Sequence, residues 1–235
     1  LKTGGGRRRL VFGALLAAAI CAPAEAQETG TLIQRKAAQI QDRGKNAARL
    51  TMESFAQCLV SRSRGRVTKF AEMRVDDAAY GKYLRSLFDA AGDACLSGGQ
   101  LQFNSVVFRG TVFQALYAAE FPTADAPVEF STVASSGYRA RYGDAVPDAA
   151  RSALALEQFG ECVARADGAG VRALLGANAN SSDETARFNA LVPRFSACIP
   201  KGETLAFSKI ILKGALAEGL YWLSKAAESG APAAP

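Results

Sequence analysis

The sequence predicts an all-α fold, built as a tandem duplication of a four-helix, disulfide-stapled unit. Three observations predict it. Residues 55–117 recur at 159–221: Phe55-Ala56-Gln57-Cys58 faces Phe159-Gly160-Glu161-Cys162 at an offset of 104, and Arg109-Gly110 faces Lys213-Gly214 at the same offset. Apolar residues recur at helical spacing, with Leu50, Phe55, Cys58 and Leu59 in one copy and Leu156, Phe159, Cys162 and Val163 in the other. That spacing buries one face of a helix. Each copy also holds two cysteines.

The chain is expected to open with a secretory leader over residues 1–26. Lys2 and Arg7-Arg8-Arg9 precede an apolar run, and Ala24-Glu25-Ala26 is a small-x-small cleavage site. Ile20, ahead of Cys21, is bulky for a lipidation signal. The apolar run falls short of the ~20 residues that span a bilayer. Export to the periplasm or beyond would favour disulfides among Cys58, Cys95, Cys162 and Cys198. The repeat selects Cys58 with Cys95 and Cys162 with Cys198, which gives both copies the same internal bridge.

The expected order is an N-terminal helix in residues 27–46, broken at Gly44, then repeat 1 over 47–121. A linker follows at 122–147, repeat 2 at 148–225 and a disordered tail at 226–235. Within each repeat a first helix ends at a glycine-bearing turn, near Gly65 and Gly168. A short second helix follows. The third starts at Asp76 or Asp77 in copy one and at a Ser181–Glu184 capping box in copy two. Pro193 should kink the latter helix or end it early. A Leu-x-Phe connector precedes the fourth helix, at about 104–119 and 208–224. In the linker, residues 128–133 read as a short edge strand.

Composition excludes several functions. There is no histidine, so no Ser-His-Asp triad, Cys-His pair or imidazole zinc site is available. No phosphate-binding glycine loop or EF-hand is present. Without residues 1–26 the chain carries 24 basic and 21 acidic residues, a net +3, too mixed for a nucleic-acid partner. The Arg62, Arg64, Arg66 and Lys69 cluster reads as a solvated surface. Lys209, Lys213 and Glu218 argue against a membrane span in the last helix. No cofactor, metal site or catalytic residue is assigned.

Gly110 and Gly214 fall inside helices, where glycine costs about 1 kcal/mol against alanine. Close approach of another segment is the expected reason, with a ligand against bare backbone as the functional alternative. Arg109 and Lys213 are anion-binding candidates, although pairing with a carboxylate or an exposed helix edge is the plainer reading. Tyr117 and Tyr221 should cap the core with their hydroxyls at its rim. Glu53 and Glu157 correspond between copies and read as ion-pair partners. Glu218 is the one candidate general acid, but Gln114 replaces it in copy one. An exposed, freely varying position explains that swap, so Glu218→Gln is expected to be silent.

The Cys…Cys…(Arg/Lys)-Gly…Leu-Tyr pattern resembles a group of secreted bacterial helical proteins. That resemblance implies no activity. The functional expectation is a non-catalytic binding or scaffold module of the cell envelope, whose partner is an envelope protein or ligand. The alternative is a carboxylate-dependent envelope hydrolase using Glu218.

Overall fold

The computed structural model describes residues 25–96, 104–122, 126, 128–142, 146–199 and 208–230. The proposed leader up to residue 24, the Leu-x-Phe connectors and residues 231–235 lie outside them, while residues 226–228, expected in a disordered tail, continue the last helix. The chain divides into two compact units, Leu1–Asp42 and Arg43–Pro235, and the site described below lies in the second.

The described residues form seven α-helices and no strand. They are α1 (Glu25–Glu72), α2 (Tyr80–Cys95), α3 (Ser105–Glu120), α4 (Asp148–Ala166), α5 (Gly168–Gly176), α6 (Ser182–Cys198) and α7 (Lys209–Glu228), with one 3-10 turn at Arg139–Tyr142. None is long and apolar enough to cross a membrane.

Several expectations need correction. Gly44 is itself helical and does not end α1; one glycine beside Ala47, Ala48 and Leu50 is too small a penalty to break a helix. The real interruption is at Ser63, with φ −142° and ψ 39°. Its counterpart is Asp167, with φ −158° and ψ 69°, between α4 and α5. The breaks thus precede the glycines. At Asp167 the side chain accepts from the Gly170 N–H at 2.8 Å, which caps α5.

Helix α2 starts later than Asp76 because both aspartates are engaged in the preceding turn. Asp76 pairs with Arg74 at 2.5 Å, and Asp77 accepts from the Ala79 N–H at 2.7 Å. Only half of the capping box forms. Ser181 accepts from the Glu184 N–H at 3.0 Å, while the Glu184 carboxylate turns inward. Helix α6 continues through Pro193 to Cys198. Residues 128–133 are a turn closed by Val133 N–H to Phe130 C=O at 3.2 Å, not a strand.

Both bridges form. Cys58–Cys95 ties α1 to α2, and Cys162–Cys198 ties α4 to α6, with Cα–Cα distances of 5.7 Å in each. The core is aromatic on one side, where Phe55 stacks on Phe88 at 5.1 Å and Phe88 meets Phe108 at 5.0 Å. Phe159 and Phe195 form the smaller pair opposite, at 5.6 Å.

Helices α3 and α7 cross backbone to backbone. A Cβ on Gly110 would stand 2.5 Å from the Gly214 Cα, and one on Gly214 would stand 2.6 Å from the Gly110 Cα. No real Cβ is accommodated at such distances. Gly160 and Gly219 make a second close approach, between α4 and α7.

Candidate functional site

The glycine crossing decides where Arg109 and Lys213 go. Each precedes its glycine by one residue, so each is carried to the seam between α3 and α7. Arg109 is 4 % exposed and Lys213 is 2 % exposed. The exposed-edge reading is therefore wrong, and the carboxylate partner is found.

Both cations also satisfy carbonyls at the end of a short helical segment. Arg109 donates to Met73 C=O at 3.0 Å and to Ala71 C=O at 2.9 Å, where α1 ends. Lys213 donates to Ala177 C=O at 3.0 Å, where α5 ends. The last carbonyls of a helix lack partners and carry its negative dipole end, so a buried cation is well matched there.

Their carboxylates differ. Lys213 pairs with Glu184 at 2.8 Å. Glu184 also takes a two-point contact from Arg49, at 2.5 and 2.9 Å, and the Asn180 N–H at 3.0 Å. Arg49 reaches Glu53 at 3.2 Å. Burial alone would raise the Glu184 pKa, but Arg49, Lys213 and the Asn180 N–H outweigh it and hold it at about 2.

Around Arg109 the ratio reverses. Glu218 lies 2.7 Å away and Glu157 lies 3.9 Å away, both buried. Burial and the neighbouring Glu218 push Glu157 up to about 7, which Arg109 only partly offsets. Burial alone would lower Arg109, but Glu218, Tyr80 and Glu157 raise it. Glu157 Oε2 and the hydroxyls of Tyr80, Tyr138 and Tyr142 are buried without a hydrogen-bond partner.

A strap covers this cluster. Residues 128–142 cross α4 and α7 and bury Tyr138 and Tyr142 against Leu154 and Trp222. Arg165 holds the strap by its carbonyls, at 2.7 Å to Phe130, 2.9 Å to Val133 and 2.9 Å to Ala134. Glu161 accepts from Ser136. Arg74 donates to Arg141 C=O at 2.8 Å and lies 4.6 Å over the Tyr142 ring. Burial first, then Glu157, raises the Tyr142 pKa to about 12.

Among the described residues, no strap lies over the Lys213 side. A cleft of about 480 Å³ opens there, between α1, α3 and the end of α5. Position by position, its walls correspond at 104 to the residues under the strap. Leu154 is 5 % exposed, and Leu50 is 50 % exposed. Glu157, Glu161 and Glu218 are buried, whereas Glu53 and Gln114 are half-buried and Gln57 is exposed. Trp222 has Ala118 as its counterpart, exposed at the rim.

The structure thus brings Arg109 to Glu218 and Gly110 to Gly214. Tyr117 and Tyr221 stand on either side of Phe121, at 5.2 and 6.2 Å. Their rings are buried; the Tyr117 hydroxyl accepts from Arg172 at 2.9 Å, and that of Tyr221 donates to Glu120 at 3.2 Å. Glu218 is neither exposed nor free. Sequence reasoning missed Glu184 and the Arg49 that shares it with Lys213, Tyr80 beside Arg109, and Tyr138, Tyr142 and Arg165 as strap anchors. The spacing of Tyr138 and Tyr142 within a Gly-punctuated linker was the available signal. Among the described residues no group of His, Cys, Asp or Glu is placed to hold a metal ion.

The fold and site define an all-helical, disulfide-bridged protein with paired buried ion clusters, one strapped over and one facing an open cleft. No family model, curated protein or solved structure matches the chain.

Proposed function

We propose that the chain is an exported, non-catalytic binding module of the cell envelope, made of two copies of a four-helix, disulfide-stapled unit. The offset of 104 supports the duplication. It relates the breaks at Ser63 and Asp167, the starts of α3 and α7, the reciprocal glycines, and the Met73 and Ala177 carbonyls that the two cations reach. The two bridges and the leader-like start support export.

One observation carries the binding reading. The strap covers Leu154, Glu157 and Glu218 and leaves a cleft of about 580 Å³ only along its edge, whereas the equivalent positions Leu50, Glu53 and Gln114 themselves line the cleft beside Lys213. Its cation is committed to Glu184 and Ala177, so its walls offer contact and hydrogen bonding rather than a free acid or nucleophile. The hydrolase reading draws on Glu157 at about 7 beside Glu218. Both carboxyls, however, lie buried beneath the strap, with Glu218 tied to Arg109.

Ala118→Trp tests the module by copying Trp222 into the open cleft. Immobilised wild-type and variant chains are exposed to the same envelope extract. A ligand retained by the wild type and lost by the variant is expected. Identical retention by both would overturn the reading.

A further inference from the structure

Resting on the binding-module reading, we propose that the open cleft takes an extended peptide segment of a partner protein, and that the segment inserts a tyrosine ring above Ala118. The protein displays this mode once already. Residues 128–142 lie on the equivalent groove as a largely irregular strap, held through backbone carbonyls, with Tyr138 and Tyr142 turned into the protein.

The differences between the grooves say what the open one takes. On the strapped side the Trp222 ring packs with the strap's Tyr138 and Tyr142 over Leu154. On the open side alanine stands in the tryptophan position, which leaves room for a ring that the ligand must bring. Leu50 provides the apolar floor that Leu154 provides under the strap, and at 50 % exposure it is uncovered. The wall chemistry changes as well. Glu161 and Glu218 become Gln57 and Gln114, and Asn178 joins them at the mouth. A side-chain amide both donates and accepts, as a peptide backbone does, whereas an ionised carboxylate only accepts. Gln114 gives one N–H to Gly110 C=O at 3.3 Å, which leaves its second N–H and its carbonyl to the cleft. A tyrosine suits this mixed site because its ring is apolar, its hydroxyl is polar and little rotamer freedom is lost on binding.

The test selects phage-displayed random linear peptides on the full chain and counter-selects them on Ala118→Trp, whose fold is checked by its melting curve. Surviving peptides are expected to carry a tyrosine. Changing that tyrosine to alanine, or Ala118 to tryptophan in the protein, should weaken binding about tenfold or more. The amide resonances of Leu50, Gln57 and Gln114 should shift on binding. An absence of survivors, survivors without an aromatic residue, or shifts confined to the strapped side would each overturn the proposal. If the extract yields a non-peptide ligand that Ala118→Trp releases, the module stands and the peptide inference falls. If Ala118→Trp changes neither assay, both fall.

Discussion

The Arg109 and Lys213 clusters share a scaffold and end with opposite charge ratios. Each places a cation beside a helix crossing and aims it at the end of a short helical segment. Around Lys213, two cations face Glu184 and Glu53, and every charge has a close partner. Around Arg109, one cation faces two buried carboxylates, and Glu157 retains an oxygen without a partner. The comparison shows that the cation and its carbonyl partner belong to the fold. The carboxylates around it are adjustable, and each set brings its own pH dependence.

The largest expected effect comes from Glu184→Gln. It strands Lys213 and weakens the hold on Arg49, and breaking a buried pair in this way typically costs about 3–5 kcal/mol. Denaturant titration at neutral pH measures it. A loss below about 1 kcal/mol, the scale of an exposed pair, would show that the Lys213 cluster is better hydrated than its burial implies.

Next comes the seam. Gly110→Leu and Gly214→Leu should each cost about 3 kcal/mol, at the upper end of ordinary overpacking, because backbone rather than a flexible side chain must give way. Similar losses at both positions are expected from the melting curves. A tolerant Gly214 beside a sensitive Gly110 would break the equivalence of the two sides.

The pH dependence sharpens the comparison. Glu184 is held at about 2, below its unfolded value of 4.5, so its contribution is present above pH 4.5 and is lost as pH falls through 2. Glu157 is raised from 4.5 to about 7, so its contribution is full below pH 4.5 and is lost as pH rises through 7. Each shift is worth on the order of 1–3 kcal/mol, less where water screens the pair. The two groups therefore act in opposite directions, Glu184 favouring the folded state above pH 4.5 and Glu157 below it. Glu157→Gln should remove the decline toward neutral pH and leave the acid limb intact. A profile that keeps rising from pH 4.5 to 7 would contradict the buried, underpaired state of Glu157.

Glu218→Gln is expected to be milder than Glu184→Gln, about 1–2 kcal/mol, since Glu157 remains 3.9 Å from Arg109. It should also lower the Glu157 pKa by removing a neighbouring negative charge. Carboxyl titration by NMR reads this directly. An unchanged Glu157 would mean that burial alone sets its value.

Much of the fold was legible in the sequence because helices announce themselves locally. The apolar stripes around Cys58 and Cys162 and the Ser181 cap are short-range signals. Paired cysteines at nearly equal spacing made the bridges readable too. The site was less legible because its partners lie far apart in sequence. Arg49 meets Glu184 across 135 residues, and Arg109 meets Glu218 across 109. No periodicity reports such pairs. Glu218 was misjudged for an instructive reason: Gln114, at the position 104 residues earlier, reads as free variation. In the structure the two positions have different surroundings, one under the strap and one at an open cleft. The late start of α2 was hidden similarly, since Asp76 and Asp77 resemble caps until Arg74 and the Ala79 N–H claim them.

The crossing of α3 and α7 has a further consequence, for alignment. Two helices separated by side chains can slide or roll a little, because the side chains between them yield. Here Gly110 and Gly214 meet with nothing between them, and the flanking positions are all larger: Arg109 and Thr111 on one helix, Lys213 and Ala215 on the other. Displacement by one residue along either axis would drive a side chain into backbone. The contact therefore works as a locating pin with almost no play. It fixes α3 against α7 in translation and lets Arg109 find Glu218 on the opposite helix within hydrogen-bond distance. The positional tolerance of the whole ion cluster is set by the two residues that contribute no side chain to it.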